Sequence, residues 1–138
     1  MTANPDGSAR LEGTAAAVVD PTVIDVAVID QLASITDAQG LSVLGELLQA
    51  FLAAAPARLE AIDQAAASGD LAGVAEQAHA LTGSSASFGA TAMASLCRGL
   101  RAAAEEQDAE GSGALVGTLH AEFARVRSSL VTLMRAGV

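Results

Sequence analysis

Lysine is missing from this chain altogether, as are tryptophan and tyrosine, and cysteine occurs only once. The single thiol, Cys97, excludes an intramolecular disulfide. With no run of 18 apolar residues and no basic stretch leading into an apolar one, the expectation is a soluble protein of a reducing compartment, the cytoplasm. Aromatic side chains are nearly absent too: Phe51, Phe88 and Phe123 are all there are. Strands draw on aromatic and β-branched residues, so this shortage, beside abundant Ala and Leu, indicates an all-α fold. Positive charge is scarce, with seven arginines against sixteen acidic residues and a formal charge of −9. Such a surface repels nucleic acid and anionic membranes, and neither is expected as a partner.

What is present is helical periodicity. The 138 residues suffice for one hydrophobic core without disulfides or metal. Residues 1–20, with Pro5, Gly7 and Gly13 and no sustained period, read as a flexible N-terminal tail, and 21–138 as one domain. Pro21 precedes a short helix with Ile24, Val28 and Leu32 on one stripe. Thr36-Asp37-Ala38-Gln39 has the form of a capping box ahead of a long helix carrying Leu44, Leu48, Phe51, Ala55, Leu59, Ile62 and Ala66. Pro56 falls inside it and is expected to kink it. Ser68-Gly69-Asp70 stops that helix and starts the next, whose apolar stripe runs Leu71, Val74, Ala78, Leu81, Ser85 and Phe88 up to Gly89. A fourth helix is expected from about Ala90 to about Asp108, with Met93, Leu96, Leu100 and Ala103 inward and Cys97 and Ala104 flanking. Gly111-Ser112-Gly113 reads as a turn before a last helix bearing Leu115, Leu119, Phe123, Val126, Leu130 and Leu133. Four amphipathic helices with short connections pack as an antiparallel up-down four-helix bundle, here with a short additional N-terminal helix.

His79 is the residue in this pattern with chemical potential. The core phase passes through Ala78 and Leu81, which turns His79 toward solvent. Its stripe neighbours are Ala75, Glu76, Thr82, Gly83 and Ala86, mostly small. Gly83 costs about 1 kcal/mol of helix stability relative to Ala, as though a side chain there would obstruct something. The residues alone leave two readings: an ordinary exposed histidine, or an imidazole placed to be reached by another protein. His120, between Leu119 and Phe123, reads as a rim histidine, and Cys97 as a packed thiol. No P-loop, glycine-rich kinase loop, Cys/His metal cluster or Glu-x-x-His pair occurs, so an independent nucleotide- or metal-dependent enzyme is disfavoured.

The run His79-Ala80-Leu81-Thr82-Gly83-Ser84-Ser85, followed by Phe88-Gly89-Ala90 and then Met93, Leu96, Cys97 and Leu100, resembles the histidine-containing phosphotransfer (HPt) domain family. Phe51-Leu52 with Pro56, and Glu122-Phe123-Ala124-Arg125-Val126, extend the similarity over about residues 22 to 134. The resemblance implies a phosphorelay carrier without kinase activity of its own. His79 would accept a phosphoryl group from a receiver-domain aspartate and pass it to another receiver. The partners implied are response-regulator receiver domains and a hybrid sensor histidine kinase. No cofactor is needed on this chain, Mg²⁺ being expected on the receiver, and a monomer is expected. A docking patch of Ile24, Val28 and Leu32 with Gly83 and Ala86 would meet the receiver. One departure stands out: Thr82 occupies the position where the family usually has lysine. Thr82 and Ser84 hydroxyls, or Arg98 or Arg101 from the fourth helix, are the candidate substitutes for that charge. Arg101 is favoured, because the helix bearing it should run back beside His79. The alternative is a non-phosphorylated adaptor that keeps the receiver-binding face and has lost transfer with the lysine.

Overall fold

Five helices account for most of the chain in a computed structural model that describes residues 19–136. They are α1 (Val26–Ala33), α2 (Leu44–Ala67), α3 (Leu71–Ser87), α4 (Thr91–Glu105) and α5 (Ala109–Arg135). Helices α2 to α5 form an up-down bundle in which each packs on the next and α5 closes against α2. No strand occurs among the described residues; Thr36 and Ser42 form an isolated bridge. The three phenylalanines meet at one place in the core, with Phe51 5.2 Å from Phe88 and 6.3 Å from Phe123 between ring centroids. Tilted and edge-on ring pairs of this kind add attraction beyond the area they bury.

The caps explain where three helices begin. Side chains of Asp25, Asp70 and Asp108 accept hydrogen bonds from the amides of Ala27, Gly73 and Gly111, satisfying donors that the first turn leaves free. Helix α2 differs from expectation. Thr36-Asp37-Ala38-Gln39 does not cap it. The Asp37 carboxylate accepts from the amides of Gln39 and Leu41, Gly40 adopts φ +80°, and the chain turns back before α2 starts at Leu44. Once α2 has started, Pro56 leaves it unbroken, lying on its exposed side, where the carbonyl that loses its amide partner is least costly.

The α4–α5 connection is also displaced. Helix α4 ends at Glu105, the reversal occurs at Glu106, Gln107 and Asp108, and Gln107 takes φ +61°. Gly111, Ser112 and Gly113, expected as the turn, lie instead in the first turns of α5. The Asp108 cap nucleates the helix ahead of them, and Glu110 sits favourably at its positive end. On α4 the buried set is Met93, Ala94, Cys97, Leu100 and Ala104, so Cys97 and Ala104 belong to the core while Leu96 and Ala103 are half-buried at its edge.

The packed region already includes Val19 and Val23, so it begins slightly before the expected boundary at residue 21. Residues 1–18 of the expected tail lie outside the described residues. Helix α1 is tied to the α3–α4 turn: the Gly89 carbonyl accepts from the Asp25 amide at 2.8 Å. A Cβ on Gly89 would stand 2.8 Å from the Asp25 carbonyl oxygen, and the residue has φ +74°. Both facts require glycine there.

Candidate functional site

Helix α3 buries Val74, Ala78, Leu81 and Ser85 against the bundle. His79 follows Ala78 by one residue, a rotation of about 100°, and is exposed at the middle of the helix. One turn further on, Gly83 is exposed, and nothing beyond its own stretch of helix lies within 4 Å of where its Cβ would be. Ala86 is also exposed, and Ala75 and Thr82 are half-buried, so the surface around the imidazole is low on the Gly83 side.

The other side is occupied by α4. His79 and Arg101 stand at matching distances on either side of the Gly89–Ala90 turn, so the antiparallel hairpin brings them level. Arg101 Nη1 lies 2.8 Å from His79 Nδ1, and Arg101 Nε lies 3.3 Å from Glu105 Oε1. A guanidinium has donors and no acceptor. Nδ1 therefore receives this hydrogen bond, and the neutral ring carries its proton on Nε2. Of the two arginines expected near His79, it is Arg101 that reaches the imidazole from across the hairpin.

The hydroxyls are otherwise engaged. Thr82 Oγ1 donates to the Ala78 carbonyl at 2.9 Å, and Ser84 Oγ points to the Leu81 and Ala80 carbonyls at 3.3 and 3.4 Å. Hydroxyls inside helices commonly bond back to the preceding turn. In this arrangement both hydroxyl protons are directed to helix carbonyls.

The expected docking patch needs a similar correction. Ile24 has no exposed surface; it belongs to the core, because α1 folds inward over the α3–α4 end of the bundle. Val28 and Leu32 are half-buried, and Val28 packs beside Gly89. An apolar groove lies instead between α2 and α3, with Leu47, Ala50 and Ala54 on one wall and Ala80 and Ser84, next to His79, on the other. Arg58 closes it and donates to Gln77 Oε1 at 3.0 Å. The α2 wall was missed in the sequence, although Leu47-Leu48 carries the signal. Two adjacent leucines cannot both face the core of one helix; Leu48 is fully buried and Leu47 is 36% exposed.

The other titratable candidates have structural places. His120 Nε2 lies 2.8 Å from Asp63 Oδ1 at the α2–α5 seam, whereas His79 sits on the α3–α4 seam. Cys97 is fully buried, and burial pushes its thiol up to about 11.

The Hpt domain family model matches residues 46–129, more than half of the chain, and the chain belongs to this family. Among solved structures it is similar to histidine-containing phosphotransfer protein B (HptB) from Pseudomonas aeruginosa PAO1. The identity is 25% and the TM-score 0.75, over 82% of this chain and 96% of that one. No curated protein matches the chain significantly. No helix among the described residues is long and apolar enough to cross a membrane.

Proposed function

We propose that this chain is a phosphoryl carrier of a two-component phosphorelay, with His79 as the acceptor. The observation that carries the reading is the exposed His79 ring held 2.8 Å from the Arg101 guanidinium beside the bare surface of Gly83. An imidazole offers a neutral nitrogen nucleophile near neutral pH. In the forward step one ring nitrogen bonds to phosphorus as the bond from phosphorus to the receiver's aspartyl oxygen breaks, the electron pair returning to the carboxylate. The reverse sequence loads a second receiver. The receiver holds the Mg²⁺ that offsets charge during transfer, and the chain acts without kinase activity of its own, in the cytoplasm, as a monomer. Its partners are response-regulator receiver domains and a hybrid sensor histidine kinase. The apolar groove of Leu47, Ala50, Ala54, Ala80 and Ser84, with Gly83 and Ala86, forms the docking face, and desolvation of such a surface supplies association energy.

Incubation with phosphorylated receiver domains tests this reading. Label is expected on the wild-type chain and not on His79→Gln. Binding without label on the wild type would refute the carrier reading and favour an adaptor, the reading suggested by Thr82 in place of lysine.

A further inference from the structure

The contact between Arg101 and His79 has a chemical consequence for the carrier reading, on which the following rests. With Nδ1 accepting from Arg101, the lone pair of Nδ1 is occupied. With the proton on Nε2, the lone pair there is absent as well. Neither nitrogen is a free nucleophile in this geometry, although the ring is exposed. Nδ1 is the nitrogen turned to α4, so Nε2, across the ring from Arg101, is the one an approaching protein meets.

We propose that Arg101 is a latch on His79, holding the ring in its unreactive tautomer until the contact opens. For Nε2 to attack, the ring proton must move to Nδ1. An Nδ1–H cannot face a guanidinium that has only donors, so Arg101 has to leave first. Glu105 gives it somewhere to go. Its carboxylate already holds Arg101 Nε at 3.3 Å, and a modest swing would pair the guanidinium fully with it. After release, Nε2 attacks phosphorus, the aspartyl P–O bond breaks with its electrons returning to the carboxylate, and Nδ1 keeps its proton, leaving a phosphorylated imidazolium. The freed guanidinium can then pair with the phosphoryl oxygens, as charge-assisted bonds favour. Arg101 is thus a positioning residue that slows loading of the unphosphorylated chain and protects the loaded one.

Phosphoramidate, a small phosphodonor, tests the latch without any receiver. At mildly alkaline pH, where a free imidazole is neutral, nitrogen-15 NMR of wild-type His79 is expected to show Nε2 protonated and Nδ1 bare. In Arg101→Gln the side-chain carbonyl can accept from Nδ1–H, so the tautomer should invert. Loading by phosphoramidate should then rise about fivefold, the factor for loss of one exposed hydrogen bond. The phosphohistidine formed should hydrolyse faster than in the wild type. Arg101→Lys, still an obligate donor, should restore the Nε2–H ring and the slow loading. A wild-type ring protonated on Nδ1 would overturn the latch, as would a wild type that loads at His79 no more slowly than Arg101→Gln. If neither chain accepts phosphoryl at His79 from phosphoramidate or from a receiver, the carrier reading fails and the latch with it.

Discussion

Replacing Gly83 separates what the bundle needs from what a partner needs. The residue lies inside α3, with a backbone in the ordinary helical range and nothing beyond its own helix within 4 Å of the place a Cβ would take. The folded protein therefore gains no packing from glycine, and the unfolded chain gains freedom from it. Gly83→Ala should stabilise the chain by about 0.5–1 kcal/mol, raising Tm by about 2–4 °C for a domain of this size. Gln at position 83, also a good helix former, should leave the chain at least as stable as the wild type while placing a long side chain one turn from His79. If the surface beside His79 is approached closely, that side chain must be displaced or accommodated. Overpacking a close contact costs about 1–3 kcal/mol, a loss of roughly 5- to 150-fold in kcat/KM for transfer from a phosphorylated receiver. The assays are urea unfolding and single-turnover transfer. Two results would refute the reasoning: a Gly83→Ala chain less stable than the wild type, or a stable Gly83→Gln chain that transfers at the wild-type rate.

At the other special glycine the sign reverses. Gly89→Ala combines φ +74° with a Cβ 2.8 Å from the Asp25 carbonyl oxygen and should cost about 2–4 kcal/mol in urea unfolding. Gly40→Ala, at φ +80° with no neighbour within 4 Å, should cost about 1–2 kcal/mol, and equal costs would mean that the Asp25 contact contributes nothing. Thr82→Lys places an ammonium one turn from His79 and should lengthen the phosphohistidine lifetime, by up to about fivefold for an exposed charge pair; phosphorus NMR decides, and an unchanged lifetime would mean that Arg101 already supplies the charge. Cys97 should resist thiol reagents at pH 8 until the chain is unfolded, because its buried thiol is pushed up to about 11. Since the unfolded thiol ionises first, the stability this neutral thiol contributes is complete below pH 9 and is lost as pH rises toward 11, and a Cys97→Ala chain should lack that alkaline decline.

The histidine helix was legible because three independent signals agreed on it: Gly69 and Asp70 at its start, an unbroken stripe from Leu71 to Phe88, and Gly89 beyond its end. The Arg101 contact followed from the same hairpin, since residues at equal distances from a tight antiparallel turn come level. The α4–α5 boundary was less readable. Gly111-Ser112-Gly113 has turn composition, but a helix already capped by Asp108 runs through it, and a non-glycine residue at positive φ, Gln107, leaves no mark in the composition. Thr36-Asp37-Ala38-Gln39 misled for a related reason: turns and helix caps both use a short side-chain oxygen that accepts from a nearby amide, and here Asp37 makes the turn while Gly40 reverses the chain. Ile24 was misplaced because a short stripe of three residues does not say which side the core lies on. The Thr82 and Ser84 hydroxyls turn to carbonyls of the preceding turn, a local choice that intrahelical Ser and Thr commonly make and that spacing does not display.

Because the chain has no lysine, the positive charge beside His79 comes from a second helix, packed along α3 and joined to it at the turn around Gly89. That pairing is therefore a property of hairpin register, not of α3 alone. One residue added to that turn would rotate Arg101 by about 100° around α4 and carry the guanidinium off the ring, leaving His79 exposed, α3 intact, and the charge gone. A lysine at position 82 would instead carry its charge on α3 itself, one turn from His79, and would not depend on the length of that connection.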